Sequence, residues 1–292
     1  SAKYPVRYHA LGSLTLNLQG DLISEMGLMK RAGIIGLSDG NAPISSSVVL
    51  RRAFQYAERL NTPVFVTPSD PDLDAEGVMH EGKVSTRIGL SGIPLASEEI
   101  SLARIVALQR DTGVRCCALP LGSASSLSTL DTKNISVAVA ARSLYLSDSS
   151  IEDDLYNPSL HVYPPLRNNP QALVDAVREN KIDIVMSDHI PLTRVEQDCE
   201  FSVAEQGAMG LETSLSIAYT VLEDLPLVWE KMCFAPARLL GLVKGLHVGS
   251  ESDIVIFDPN LEWTPSLPFQ SKGINDPLMG QALKGRVYTT FI

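Results

Sequence analysis

The residues best equipped for chemistry are Ser187-Asp188-His189-Ile190-Pro191-Leu192, which follow directly on the mostly apolar run Ile182-Asp183-Ile184-Val185-Met186. A carboxylate and an imidazole delivered by the end of a buried strand form the start of a metal site or a proton-accepting pair. A second imidazole is what such a site needs. The five histidines are His9, His80, His161, His189 and His247, no two of them within a helical turn, and no His-x-His pair occurs. The four cysteines, Cys116, Cys117, Cys199 and Cys233, form no Cys-x-x-Cys motif, which argues against a zinc knuckle or a redox dithiol. They are expected to be buried or half-buried, with Cys116 and Cys117 on opposite faces of one strand.

Elements that could position Asp188 alternate along the chain. Strand patterns cover residues 32–38, 64–67, 114–119, 135–141 and 182–186, each short and apolar on both faces. Helix patterns lie between them. One follows the possible caps Ser45, Ser46 and Ser47 as far as Leu60. A second opens at Ser97-Glu98-Glu99, where acid suits the helix dipole, and stops at Thr112-Gly113. A third spans 171–179. Five two-faced strands separated by helices predict a parallel sheet covered by helices, with strand spacings that fit a (β/α) barrel. In such a barrel the active site lies at the strand C-termini: Asp39, residues 67–70, residues 120–123, Arg142-Ser143 and Asp188-His189. Beyond residue 200 the pattern predicts helices over 213–222 and 227–240, the second broken at Pro236, then strands over 253–259 and 285–291.

Composition narrows the function classes. The 292 residues are 45% hydrophobic and 20% charged, as in a soluble globular protein, and the net charge is −10. That charge argues against a nucleic-acid or anionic-membrane surface. No apolar run reaches the roughly 18–20 residues needed to span a bilayer. Ser1-Ala2-Lys3-Tyr4-Pro5 lacks a secretion signal, so a cytoplasmic location is expected.

Several stretches, in order, resemble the dihydroorotases of the amidohydrolase superfamily. They are Gly77-Val78-Met79-His80-Glu81-Gly82, Tyr163-Pro164-Pro165-Leu166-Arg167, Ser187 to Pro191, Gly207-Ala208-Met209-Gly210-Leu211-Glu212-Thr213, Ala235 to Leu242, and Asp253 to Pro259. The resemblance implies a TIM-type (β/α) barrel over 1–245, N-terminally incomplete relative to the family, with β-sandwich strands over 246–292. It also implies a zinc-activated water that attacks a cyclic amide, with an Asp relaying the proton.

Carried over by position, the resemblance puts other residues where the family has its ligands. The first-strand His-x-His has no counterpart. The His of the His-x-Glu-Asp turn falls on Thr67, and the His before a Ser-Thr pair falls on Pro120. The His-His pair falls on Arg142 and Ser143, and the substrate-binding His falls on Leu192. Asp188 alone stands where a metal-bound catalytic carboxylate belongs, with Asp39 as the candidate bridging acid. Pro, Ser, Arg and Leu are poor zinc donors, and without the metal nothing lowers a water pKa from about 15.7 toward 7.

The expectation is therefore a pseudoenzyme with no metal and no cofactor, in which Asp188 is vestigial. His80, His189, Glu212 and Arg167 are expected in structural roles, Arg167 as a buried cation paired with an acid. By the resemblance, such a chain assembles aspartate carbamoyltransferase of pyrimidine biosynthesis, as a hetero-oligomer with its catalytic chain and with self-association. The rival is an active cyclic-amide hydrolase with a reduced metal site on Asp188 and Asp39. A third reading is a small-molecule sensor that uses the old pocket.

Overall fold

The computed structural model describes residues 6–130, 134–242, 245, 248 and 253–291. Ten strands occur in it: β1 (Leu11–Gly12), β2 (Gly36–Ser38), β3 (Val64–Val66), β4 (Met79–His80), β5 (Gly92–Ile93), β6 (Cys116–Ala118), β7 (Ile135–Ala140), β8 (Ile184–Met186), β9 (Ile254–Trp263) and β10 (Leu283–Phe291). Six form one sheet in the order β1-β2-β3-β6-β7-β8, and every pair in it is parallel. Parallel neighbours require crossovers, and the helices Ser47–Arg59, Leu95–Thr112 and Pro170–Arg178 supply those from β2 to β3, β3 to β6 and β7 to β8. All five strands expected from hydrophobic runs are present, each shorter than its run, with Gly36–Ser38 and Ile184–Met186 keeping only the C-terminal part. The two-residue strands β1, β4 and β5 carry too little pattern to be read from sequence.

Alternation along the strands sorts side chains into two layers. Val64, Val66, Cys116, Ala118, Val137 and Val139 join the large cluster with Phe54, Leu102 and Val177 of the crossover helices. Phe65, Cys117, Ala138 and Ile184 form a separate small cluster on the other face, packed by Ala235, Leu239 and Leu240. Cys116 and Cys117 thus do lie on opposite faces, and burial pushes the Cys116 thiol up to about 12. Cys199 and Cys233 are exposed, contrary to expectation, because each sits in a segment beyond the sheet.

The expected break at Pro236 does not occur. Helical backbone runs from Leu225–Trp229 through a π turn, Glu230–Phe234, into Ala235–Leu240. Pro236 falls in the first turn of that last α segment, where a missing N–H is tolerated. The extra π residue brings Lys231 inward, and its Nζ donates to the Ile182 carbonyl at 2.6 Å.

β9 and β10 pair antiparallel as a separate ribbon. It rests on the helix Ser214–Leu222, where Ser216 Oγ donates to the Gly285 carbonyl at 2.6 Å and Phe257 meets Tyr219 edge-on. The expected division at 245/246 lies beside residues outside those described.

Candidate functional site

The C-terminal ends of β7 and β8 bring together two of the residues singled out by sequence. β7 runs into the short turn Ala141–Leu144, which holds Arg142 and Ser143 buried. β8 ends two residues before Asp188, whose backbone sits at φ 44°, in the left-handed region that Asp tolerates better than most residues. Arg142 reaches across the strand ends. One of its Nη atoms pairs with the Asp188 carboxylate, and the other donates to the Asp188 carbonyl at 3.0 Å. The two side chains are 4% and 10% exposed, so the pair is shielded from water and from screening salt.

The other singled-out residues are stitched into the scaffold. Thr67 Oγ1 lies 3.0 Å from both the Gly40 and the Leu119 carbonyls, tying the end of β3 to its two neighbours. Pro120 is buried just beyond β6. Leu192 is buried, and its N–H donates to Asn275 Oδ1 at 2.9 Å. Asp39 turns its carboxylate to the Leu14 N–H (2.7 Å), the Thr15 N–H (3.1 Å) and the Thr15 hydroxyl.

Among the described residues the histidines join no cluster that could hold a metal ion. His80 Nδ1 accepts from Arg167 at 2.9 Å, and burial together with that guanidinium lowers its pKa to about 4. His161 is fixed by the Ala204 carbonyl at 2.8 Å. His189 Nδ1 accepts from the Gly210 N–H at 3.1 Å, and burial lowers its pKa too. His247 lies outside the described residues. Arg167 is buried as expected, but its direct partners are His80 and the Ile93 carbonyl (3.1 Å), with Glu98 at 4.0 Å.

Three features gave no signal in the sequence. Asn275, fully buried, donates to the Ile190 and Gly207 carbonyls at 3.0 and 2.9 Å and so laces the Asp188 loop to residues 207–209. Glu98 was expected to serve the dipole of its own helix. Instead its buried carboxylate accepts from the Gly122 N–H at 2.8 Å, the Ser123 N–H at 3.2 Å and the Ser126 hydroxyl, and burial pushes its pKa up. The third feature is a cavity of about 250 Å³ at the strand ends, lined by Asn41, Ser69, Asp74, Tyr163 and Gln206. Tyr163 donates to Asp74 there at 2.9 Å, and burial pushes its phenol up. None of the residues placed at the family's ligand positions lines that cavity.

The zinc that the resemblance implies does not fit this donor set. Among the described residues no three of His, Cys, Asp or Glu converge. One of the two Asp188 carboxylate oxygens is held by a guanidinium, which opposes Zn²⁺ by charge and offers it no lone pair.

No family model matches the chain. Curated relatives do. The dihydroorotase of Pelotomaculum thermopropionicum is 36% identical over 305 residues, spanning 99% of this chain and 71% of that protein. This chain belongs to the dihydroorotase family. The dihydroorotase of Thermoanaerobacter sp. is 34% identical over 300 residues, 98% of this chain and 69% of its own. In three dimensions the chain is similar to the L-hydantoinase (dihydropyrimidinase) of Arthrobacter aurescens, with TM-score 0.84, 22% identity, and 98% of this chain and 69% of that one covered. It is also similar to the Saccharomyces cerevisiae dihydroorotase in complex with 5-fluoroorotic acid, with TM-score 0.70 at 18% identity, over 94% and 78% of the two chains. The fold of this dihydroorotase-family chain is therefore that of the TIM-barrel amidohydrolases, with a parallel sheet and a small antiparallel one. No helix among the described residues is long and apolar enough to cross a membrane.

Proposed function

We propose that this dihydroorotase-family chain belongs to pyrimidine biosynthesis as a non-hydrolytic subunit, which assembles with the catalytic chain of aspartate carbamoyltransferase in the cytoplasm. The observation that carries the loss of chemistry is the buried Arg142–Asp188 pair. A proton-relaying carboxylate works best unpaired and facing its water, and here one Asp188 carboxylate oxygen is held by a buried guanidinium that favours the deprotonated form. The substitutions at Thr67, Pro120, Arg142, Ser143 and Leu192 support the same reading, since none supplies an imidazole. The assembly role rests on the resemblance. A chain that keeps a full core without a working site is kept for what it holds together.

The test uses the full-length protein, purified alone and co-expressed with its own organism's carbamoyltransferase chain. The expected result is a co-eluting complex, zinc well below one per chain by elemental analysis, and no ring opening of dihydroorotate by the isolated protein. Stoichiometric zinc with turnover would instead establish the active-hydrolase reading centred on Asp188 and Asp39, which draws its support from the names of the relatives.

A further inference from the structure

Residues 153–157 form a tip that presents large apolar side chains to solvent. Leu155 is 86% exposed and Tyr156 41%. Both sit in the left-handed region, at φ 50° and 61°, which bulky residues seldom adopt. Three backbone hydrogen bonds fix the turn: the N–H groups of Leu155, Tyr156 and Asn157 donate to the carbonyls of Glu152 (3.2 Å), Ile151 (2.8 Å) and Asp154 (3.0 Å). Strained backbone persists only where its surroundings hold it, and it concentrates at functional sites. The tip is already fixed in the shape it displays, so ordering it on contact costs little.

A second exposed segment, residues 193–206, packs beside it. Ser159 Oγ donates to Gln197 Oε1 at 3.3 Å, and His161 Nδ1 lies 2.8 Å from the Ala204 carbonyl. This segment exposes Val195 (86%) and Val203 (69%). A cleft of about 340 Å³ opens between the two segments, lined by Asn157, Pro158, Arg194, Asp198, Ile274 and Met279. Another of about 240 Å³ is lined by Asp153, Asp154, Tyr145 and Pro277. Apolar side chains exposed singly are ordinary, whereas a group of them around clefts marks a surface that meets another molecule.

Charge selects the occupant. Residues 152–160 carry three acids and no cation, and residues 193–206 carry four acids and one cation, Arg194. The two segments thus hold a net charge of −6, out of −10 for the whole chain. Among the described residues only Glu152 of these acids pairs with a cation, Arg87. A second copy would set the same acids face to face, and nucleic acid or an anionic membrane is repelled as well. A small cation leaves the leucine and the valines in water. A protein surface with Lys and Arg around an apolar centre satisfies both features.

We infer that this face docks a basic protein surface, with Leu155 and Val195 as the apolar anchors and the surrounding carboxylates meeting Lys and Arg side chains. The inference rests on the assembly reading above and assigns the face to the catalytic chain named there.

The test measures, by isothermal titration calorimetry, binding of the full-length chain to the carbamoyltransferase catalytic chain of its own organism. The double variant Leu155→Ser, Val195→Ser removes the anchors, and Asp153→Lys, Asp198→Lys reverses the charge. All four side chains are exposed, so the fold is expected to survive, which circular dichroism checks. Each double variant is expected to weaken binding by about tenfold or more. Raising salt from about 0.05 M to about 0.5 M is expected to weaken the wild type by a similar factor. Val48→Ser, exposed on the helix Ser47–Arg59, should leave the affinity unchanged. Wild-type binding that neither double variant weakens overturns this inference and leaves the assembly reading intact. No binding by the wild type overturns both. A chain whose mass by light scattering halves in either double variant alone also overturns the inference, since the occupant is then a second copy. Where a variant fails to fold, hydrogen exchange of the wild type decides. Protection of residues 153–157 and 193–206 on adding the catalytic chain is expected, and unchanged exchange in both overturns the inference.

Discussion

Asp188 and Arg142 form a charge pair shielded from water at the ends of two neighbouring strands. A carboxylate held at positive φ at the strand mouth needs a counter-charge, and here a guanidinium supplies it. Breaking one side of a buried pair leaves the other charge uncompensated, which costs more than the pair contributes when intact. Arg142→Met is therefore expected to lower the unfolding free energy by about 3 kcal/mol in urea titrations. Adding Asp188→Asn should recover at least half of that, because Asn keeps the tolerance for left-handed backbone without the charge. A loss below about 1 kcal/mol for Arg142→Met would mean that Asp188 is solvated. His80 gives the pH prediction. Its folded pKa of about 4 lies below the unfolded value near 6.5, so the unfolded chain binds the extra proton first. Stability from this group is complete above about pH 6.5 and declines as pH falls toward 4. Glu98 shifts the opposite way, with its pKa raised by burial, so the comparison must be between wild type and His80→Gln. The wild-type curve should fall more steeply through that window, and parallel curves would contradict the assignment.

The elements around the site are held by hydrogen bonds that no periodicity announces. The loop carrying Asp188, His189 and Leu192 has no regular structure, so its backbone groups must find other partners. Asn275 supplies two of them, at Leu192 N and Ile190 O, and holds the Gly207 carbonyl of the neighbouring segment as well. Gly210 makes the close approach possible, since a Cβ there would lie 2.3 Å from the Ser187 carbonyl oxygen. Asn275→Ala leaves those buried groups unpaired, at about 1–3 kcal/mol for each that water cannot reach. The expected outcome is faster hydrogen exchange confined to residues 187–192 and 207–209, with the sheet unchanged. Unaltered exchange in both segments would show that the loop is held by packing alone. The helix periodicities were easy to read because burial imposes a 3.6-residue repeat. The two-residue strands and the π turn were not, since too few residues carry them to set any period.

For the whole molecule, the all-parallel sheet with crossover helices gathers its strand C-termini on one side, and the sequence decides what is placed there. If a zinc site of micromolar affinity existed, a hundredfold excess of metal would stabilise the chain by about 2.7 kcal/mol. That corresponds to a rise in Tm of about 5 °C for a chain of this size. The expected shift on adding zinc is below about 1 °C, and a rise of several degrees would point to a site built by donors other than those singled out here. The sequence by itself determined the fold class, the five main strands with their crossover helices, and the scarcity of imidazoles, because each is a matter of pattern or count. It also placed Asp188 and Arg142 at neighbouring strand ends. Only the tertiary structure decided that these two side chains meet, that Asp39 turns toward Leu14 and Thr15, and that Asn275 binds the mouth together. Those contacts join residues 46, 25 and 83 positions apart. They depend on strand register and loop closure, which local residue spacing does not encode.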